Sequence, residues 1–172
     1  SQIKFGYYVA DNISLYDLIE NIKNGTQSHI KVTIPEGYNV FDIASTLDKL
    51  QITSKDSFLK DAFNKSIIKD VTGKNLSTFE GFLYPATYKF PKNYDNILIL
   101  KTLYNGFLQN LPTNFEEKAK YYGLSLYEAV TLASIVQKET YSEKEAPVVA
   151  SVFHNRLKIN MRLQADPTII YG

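Results

Sequence analysis

Glu139 is the residue of this 172-residue chain whose setting best fits chemistry. It sits near the end of the stretch Leu126 to Thr140, LYEAVTLASIVQKET. Ser125 and Glu128 have the S-x-x-E spacing of a capping box, which marks a helix start. Ala129, Leu132, Ala133 and Val136 follow at i, i+3, i+4 and i+7, one apolar stripe. Three residues further on, the stripe reaches Glu139. A carboxyl group at the edge of apolar surface is disfavoured as the anion. Held as the acid, it can donate a proton. Gln137 falls roughly 200° round the helix from Glu139, at about 100° per residue, and so faces elsewhere. Spacing alone favours a plainer reading, a helix-end glutamate that meets only solvent.

Other polar side chains are candidates to touch a ligand. Glu80, before Gly81 in EGFLYPATY, is a possible second carboxylate, although an acid there more commonly caps or orients a strand. Gln164, Asp166 and Thr168 punctuate MRLQADPTIIYG, which reads as a hairpin or loop turned at Asp166-Pro167 and folded over the mouth of a site. Such groups are also ordinary turn chemistry. Asn155, in the helical pattern just before, joins them as a substrate-binding candidate.

Several chemistries lose support. The chain has no cysteine, which removes thiolate and disulfide chemistry. Its two histidines, His29 and His154, stand far apart with no metal-ligand spacing, so no metal is expected. No glycine-rich phosphate loop and no nucleophile elbow is present. A net charge of +1 gives no bulk attraction to nucleic acid or an acidic membrane. No apolar run reaches the length of a membrane span, and no signal peptide is evident. Thirteen tyrosines and ten phenylalanines without tryptophan leave aromatic surface that can pack or stack on sugar rings.

LASIVQKET, then VASVFHNRL, then MRLQADPTIIYG, preceded by EGFLYPATY, resemble the endolytic murein transglycosylase (YceG-like) family. The motifs run in the family's order and span most of the chain. The resemblance implies that Glu139 is the catalytic acid, taken from the family's E-K-E-T or Q-K-E-T segment, with Gln137 where some members have Glu. It implies a lytic transglycosylase that cuts nascent peptidoglycan strands between N-acetylmuramic acid and N-acetylglucosamine. One glutamic acid protonates the glycosidic oxygen, then as carboxylate deprotonates the muramic C6 hydroxyl, leaving a 1,6-anhydro end without cofactor. Also implied are an anchor in the bacterial inner membrane before Ser1, an extracytoplasmic location, partnership with peptidoglycan synthases, and further catalytic sequence after Gly172. The alternatives are a non-catalytic module that docks wall synthases on peptidoglycan, and a two-carboxylate hydrolase using Glu139 and Asp166.

The positioning elements read as α+β. A strand over Ile3–Val9 precedes a helix begun at Ser14, with Leu15, Leu18, Ile19 and Ile22 as its apolar face. Ile30, Val32 and Ile34 alternate as a half-buried strand. Asn39 caps a helix faced by Val40, Ile43, Ala44, Leu47 and Leu50. IPEGYNVFDIASTL resembles the LysM carbohydrate-binding module, which implies affinity for N-acetylglucosamine chains. A third helix spans Ser54–Asn64, and a connection follows over Val71–Phe79. This predicts a LysM-like module over residues 1–78 and a mainly helical, lysozyme-like catalytic part over residues 79–172. In the second part, Pro85 marks Phe82–Phe90 as an edge strand, and helices span Tyr94–Asn110 and Asn114–Tyr122. Ser142 and Glu145 resemble a further capping box before a helix with Val149, Val152, Phe153 and Leu157 buried.

Overall fold

The computed structural model describes residues 14–24, 29–140 and 142–165. The expected strand at Ile3–Val9 lies outside them, as do Asp166 and Thr168. Eight helices and one small antiparallel sheet make the described architecture α+β and mostly helical. Compactness divides the chain inside a helix, with residues 1–106 in one unit and 107–172 in the other. The connection near residue 78, where a module boundary is expected, lies inside the first of these units, with Leu83 and Tyr88 packed on its core.

In the first unit, α1 (Leu15–Asn24) is followed by β1 (Ile30–Thr33). Leu15 and Ile19, expected on a buried face, are exposed. Then come α2 (Val40–Lys49), α3 (Lys55–Ala62), α4 (Lys65–Thr72) and β2 (Thr87–Phe90). β1 pairs antiparallel with β2, Val32 opposite Tyr88. The starts of α2, α3 and α4 are legible in their caps. Asn39 and Asp42 form a reciprocal capping box on α2, and Ser54 caps α3. The Asn64 side chain accepts from the N–H groups of Ser66 and Ile67, and Gly73 closes α4 in the left-handed region at φ 64°. α4 is absent from the sequence-based expectation, although this Asn…Gly bracket announces it. α5 (Asn96–Asn110) crosses the division. Ile99, Leu100 and Leu103 bury with Val32, Leu47, Phe58 and Phe79 in one core. α5 is less enclosed than its many apolar residues predict, since Leu98 and Leu108 are exposed.

The second unit holds α6 (Phe115–Tyr121), α7 (Leu126–Glu139) and α8 (Ala146–Lys158). α7 packs on both α6 and α8. Two neighbours split its apolar positions, so Val130 and Val136 are buried while Ala133, expected in a single stripe, is exposed. Val136, Phe153 and Ala165 form a small core, lined by Leu132, Ile135 and Leu163 among others. Val152 and Leu157 of α8, expected in that core, are exposed.

Candidate functional site

The candidate site is built on the α7–α8 hairpin. Ser125 Oγ accepts from the Glu128 N–H at 3.2 Å, and the Glu128 carboxylate accepts from the Ser125 N–H at 2.8 Å. The backbone hydrogen bond from Ser125, then the one from its hydroxyl, hold the Glu128 carboxyl below its usual value of 4.5. α7 thus has a pinned start and runs to Glu139 as its last residue.

The helix stops without a glycine. Thr140 turns extended at φ −146°, ψ 139°, while its N–H still donates to Val136 O at 3.0 Å. Its hydroxyl donates to the Glu145 carboxylate at 3.0 Å and accepts from the Ser142 N–H at 3.1 Å. These bonds clamp the residue after Glu139 to the start of α8. They also replace the expected Ser142–Glu145 box, because Glu145 spends its carboxylate on Thr140 and makes no side-chain cap. Glu139 itself is exposed. The apolar enclosure expected around it is not supplied by the described residues, since Val136 turns into the small core and Glu139 lies one turn past it.

α8 closes with a Schellman pattern. The Met161 N–H donates to Arg156 O at 2.8 Å, and the Asn160 N–H donates to Leu157 O at 3.1 Å. Asn160 is left-handed at φ 54°, a conformation asparagine tolerates. The Arg156 guanidinium then donates to the Leu163 carbonyl. Leu163 is half-buried and Ala165 is 2% exposed, both against the Val136–Phe153 core. Gln164, between them, is exposed and left-handed at φ 52°. That conformation costs a non-glycine residue about 1 kcal/mol. So Glu139 and Gln164 share the second unit, on segments joined through Val136 and Ala165. Asn155 is exposed on α8. His154 packs edge-on to Tyr122 at 5.0 Å, and its Nε2 is buried with no hydrogen-bond partner among the described residues.

Glu80 belongs to the first unit. A tight turn, with the Phe82 N–H donating to Phe79 O at 2.9 Å and Gly81 at φ 82°, sets it between two fully buried phenylalanines. The turn needs that glycine because its third position has positive φ. The Glu80 carboxylate accepts from the Val40 N–H at 3.0 Å, so it ties the EGFLYP turn to the start of α2. Nearby, Gly106 is the helix position over which Tyr84 and Tyr88 close. An added Cβ there would meet the Tyr88 hydroxyl at 2.8 Å.

The sequence model of the YceG-like family matches residues 1–172. The chain belongs to that family. A Bacillus subtilis relative named endolytic murein transglycosylase is 30% identical over 182 residues, covering 96% of this chain and 50% of its own length. A Streptococcus pneumoniae relative of the same name is 27% identical, over 100% of this chain and 36% of its own. The crystal structure of a YceG-like protein from Listeria monocytogenes superposes with a TM-score of 0.70 at 27% identity, covering 98% of this chain and 61% of that one. This YceG-like chain thus spans half or less of the curated relatives' length. Thr140 and Arg156 are the residues of the site that sequence reasoning missed. Their partners are a hydroxyl–carboxylate pair and a backbone carbonyl, and neither leaves a periodic or spaced signal.

Proposed function

We propose that the chain carries the acid–base carboxyl of a murein lytic transglycosylase, and that this carboxyl is Glu139. The observation that carries the reading is the placement of the Q-K-E-T segment. Its Glu139 is the exposed last residue of a helix begun by a capping box, and the following Thr140 is clamped by Ser142 and Glu145, in a chain that matches the YceG-like family over residues 1–172. Glu139 gives its proton to the glycosidic oxygen between N-acetylmuramic acid and N-acetylglucosamine as the C1–O bond breaks. The resulting carboxylate takes the proton of the muramic C6 hydroxyl, and that oxygen closes on C1. The nucleophile is part of the substrate and needs no second carboxylate. A bound glycan strand supplies the dry surroundings that the described residues lack. Gln164, Asp166, Thr168 and Asn155 hold the sugars. Glu80, occupied by Val40, acts as a strut. No cofactor is called for.

Residues 1–78 are read as a LysM-like module, a reading supported by β1 leading through the Gly37 turn into the capped helix α2. Nothing among the described residues is a helix long and apolar enough to cross a membrane. The proposed location is extracytoplasmic, behind an inner-membrane anchor and beside wall synthases. A second reading, a module that grips peptidoglycan without cutting it, is favoured by the exposed ring pair Phe41 and Phe63, 52% and 45% exposed with centroids 5.6 Å apart. Mass spectrometry of glycan strands incubated with the full natural polypeptide separates these readings. Anhydro ends support the lyase, ends heavier by one water indicate a hydrolase, and uncut but bound strands indicate the gripping module.

A further inference from the structure

Gln164 carries a cost with no local explanation. Glycine or asparagine would suit its backbone, yet a long amide side chain stands there at φ 52°. Its conformation is imposed from both sides. Ala165 is anchored in the Val136–Phe153 core. Leu163 is caught by the Arg156 side chain through its carbonyl. Arg156 also accepts the Met161 N–H on its own carbonyl, so one residue ends α8 and ties down the segment after it. An arginine suits this task because its planar fork reaches a carbonyl with geometry a lysine does not reproduce.

We infer that Arg156 is a positioning residue for Gln164: its grip on the Leu163 carbonyl holds Gln164 left-handed and presents the Gln164 amide to the glycan beside the end of α7. This rests on the transglycosylase reading for its functional half. Nothing in the inference requires Arg156 to touch substrate. Its loss acts only through Gln164, which a general stability role does not predict.

The test is a double-mutant cycle in the full natural polypeptide. Arg156→Ala is expected to lower kcat/KM on murein glycan strands roughly tenfold, as misplaced positioning groups do. Gln164→Gly is expected to cost at least as much, with an unchanged or slightly higher Tm because the left-handed cost is gone. The double variant should be no worse than Gln164→Gly alone, and Arg156→Lys should recover part of the loss. Losses that multiply, or full activity in Arg156→Ala, overturn the inference. Glu139→Gln separates the two readings. Cleavage that survives it sinks the transglycosylase assignment, whereas abolished cleavage alongside multiplying losses sinks only the role of Arg156. An activity-free readout completes the test. The left-handed φ of Gln164, followed by NMR couplings, should disappear in Arg156→Ala and be partly retained in Arg156→Lys. Its persistence in folded Arg156→Ala overturns the inference whether or not the protein cuts.

Discussion

The two compact units hold themselves together by different means. Residues 1–106 bury Phe58, Phe79 and Phe82 completely, with Leu47, Ile52 and Leu100 around them. Among the described residues of 107–172, the buried apolar side chains are the smaller Ala119, Val130, Val136 and Ala165 and one large ring, Phe153, which packs with Val136 and Ala165. Directed bonds occur in both units, the Asn39–Asp42 box and the Glu80–Val40 tie in the first and the Ser125–Glu128 box, the Thr140–Glu145 clamp and the Arg156–Leu163 tie in the second, but the described residues of the second have less buried apolar volume beside them. Apolar burial is non-directional and scales with area, whereas hydrogen bonds fix orientation at small net gain. The first unit thus draws more on buried area, and the second relies proportionally more on direction.

The sharpest contrast is in phenylalanine removal. Phe58→Ala should cost about 3–5 kcal/mol, the full price of a closed core cavity. Phe153→Ala, in a thin core that can collapse or admit water, should cost about 2 kcal/mol, below the range usual for such changes. Urea denaturation with hydrogen exchange resolved by unit measures both, and equal costs would break the comparison. Next in size is Gly106→Ala. Its methyl would displace the Tyr88 hydroxyl from Tyr84 O, now 2.7 Å away. Overpacking of about 1–3 kcal/mol should outweigh the helix-propensity gain of about 1 kcal/mol, so the first unit loses stability. A stabilised variant would show that Tyr88 moves freely.

Smaller effects set the units apart by pH. Ser125→Ala should cost about 1 kcal/mol in the second unit. Because the Glu128 carboxyl is lowered by Ser125, the unfolded chain binds its proton first as pH falls. The box therefore stabilises fully above the usual 4.5 and is lost as pH drops through the folded value. Glu128→Gln should abolish that part of the acid dependence, whereas Ser125→Ala, which removes the hydroxyl but keeps the backbone N–H, should only reduce it. Tyr88, in the first unit, titrates in the opposite sense. Burial, then the neighbouring Tyr84, raises its phenol above the usual 10.0. Folded protein then holds that proton longer, so stability declines as pH rises above 10.0 toward the folded value. Tyr88→Phe should flatten the alkaline limb in thermal melts, and an unchanged limb would assign it to another group.

Local chemistry made much of this fold legible. Ser125 and Glu128 announce α7 to within a residue of its observed start, and Asn39, Ser54 and the Ile30–Ile34 alternation locate their elements as well. What failed is what depends on neighbours. Ala133 was expected inside because one stripe was assumed, and α7 has two flanks to cover. Glu145 pairs with Thr140 rather than Ser142 because the helix turn brings a hydroxyl nearer than the expected cap partner. Glu80 reads as a motif acid, yet its partner, Val40, is forty residues away in the chain. At the candidate site, the plainer reading of spacing, a helix-end glutamate that meets solvent, matches the exposure of Glu139, whereas no pattern foretold the left-handed turn at Gln164, which arises from tertiary contacts.

The central claim is that one carboxyl, Glu139, donates and then accepts the proton. The direct measurement is Glu139→Gln in the full natural polypeptide, scored for anhydro-muramic ends released from glycan strands. The account predicts none from the variant, with circular dichroism and glycan binding as in wild type. Anhydro ends released at the wild-type rate would contradict it.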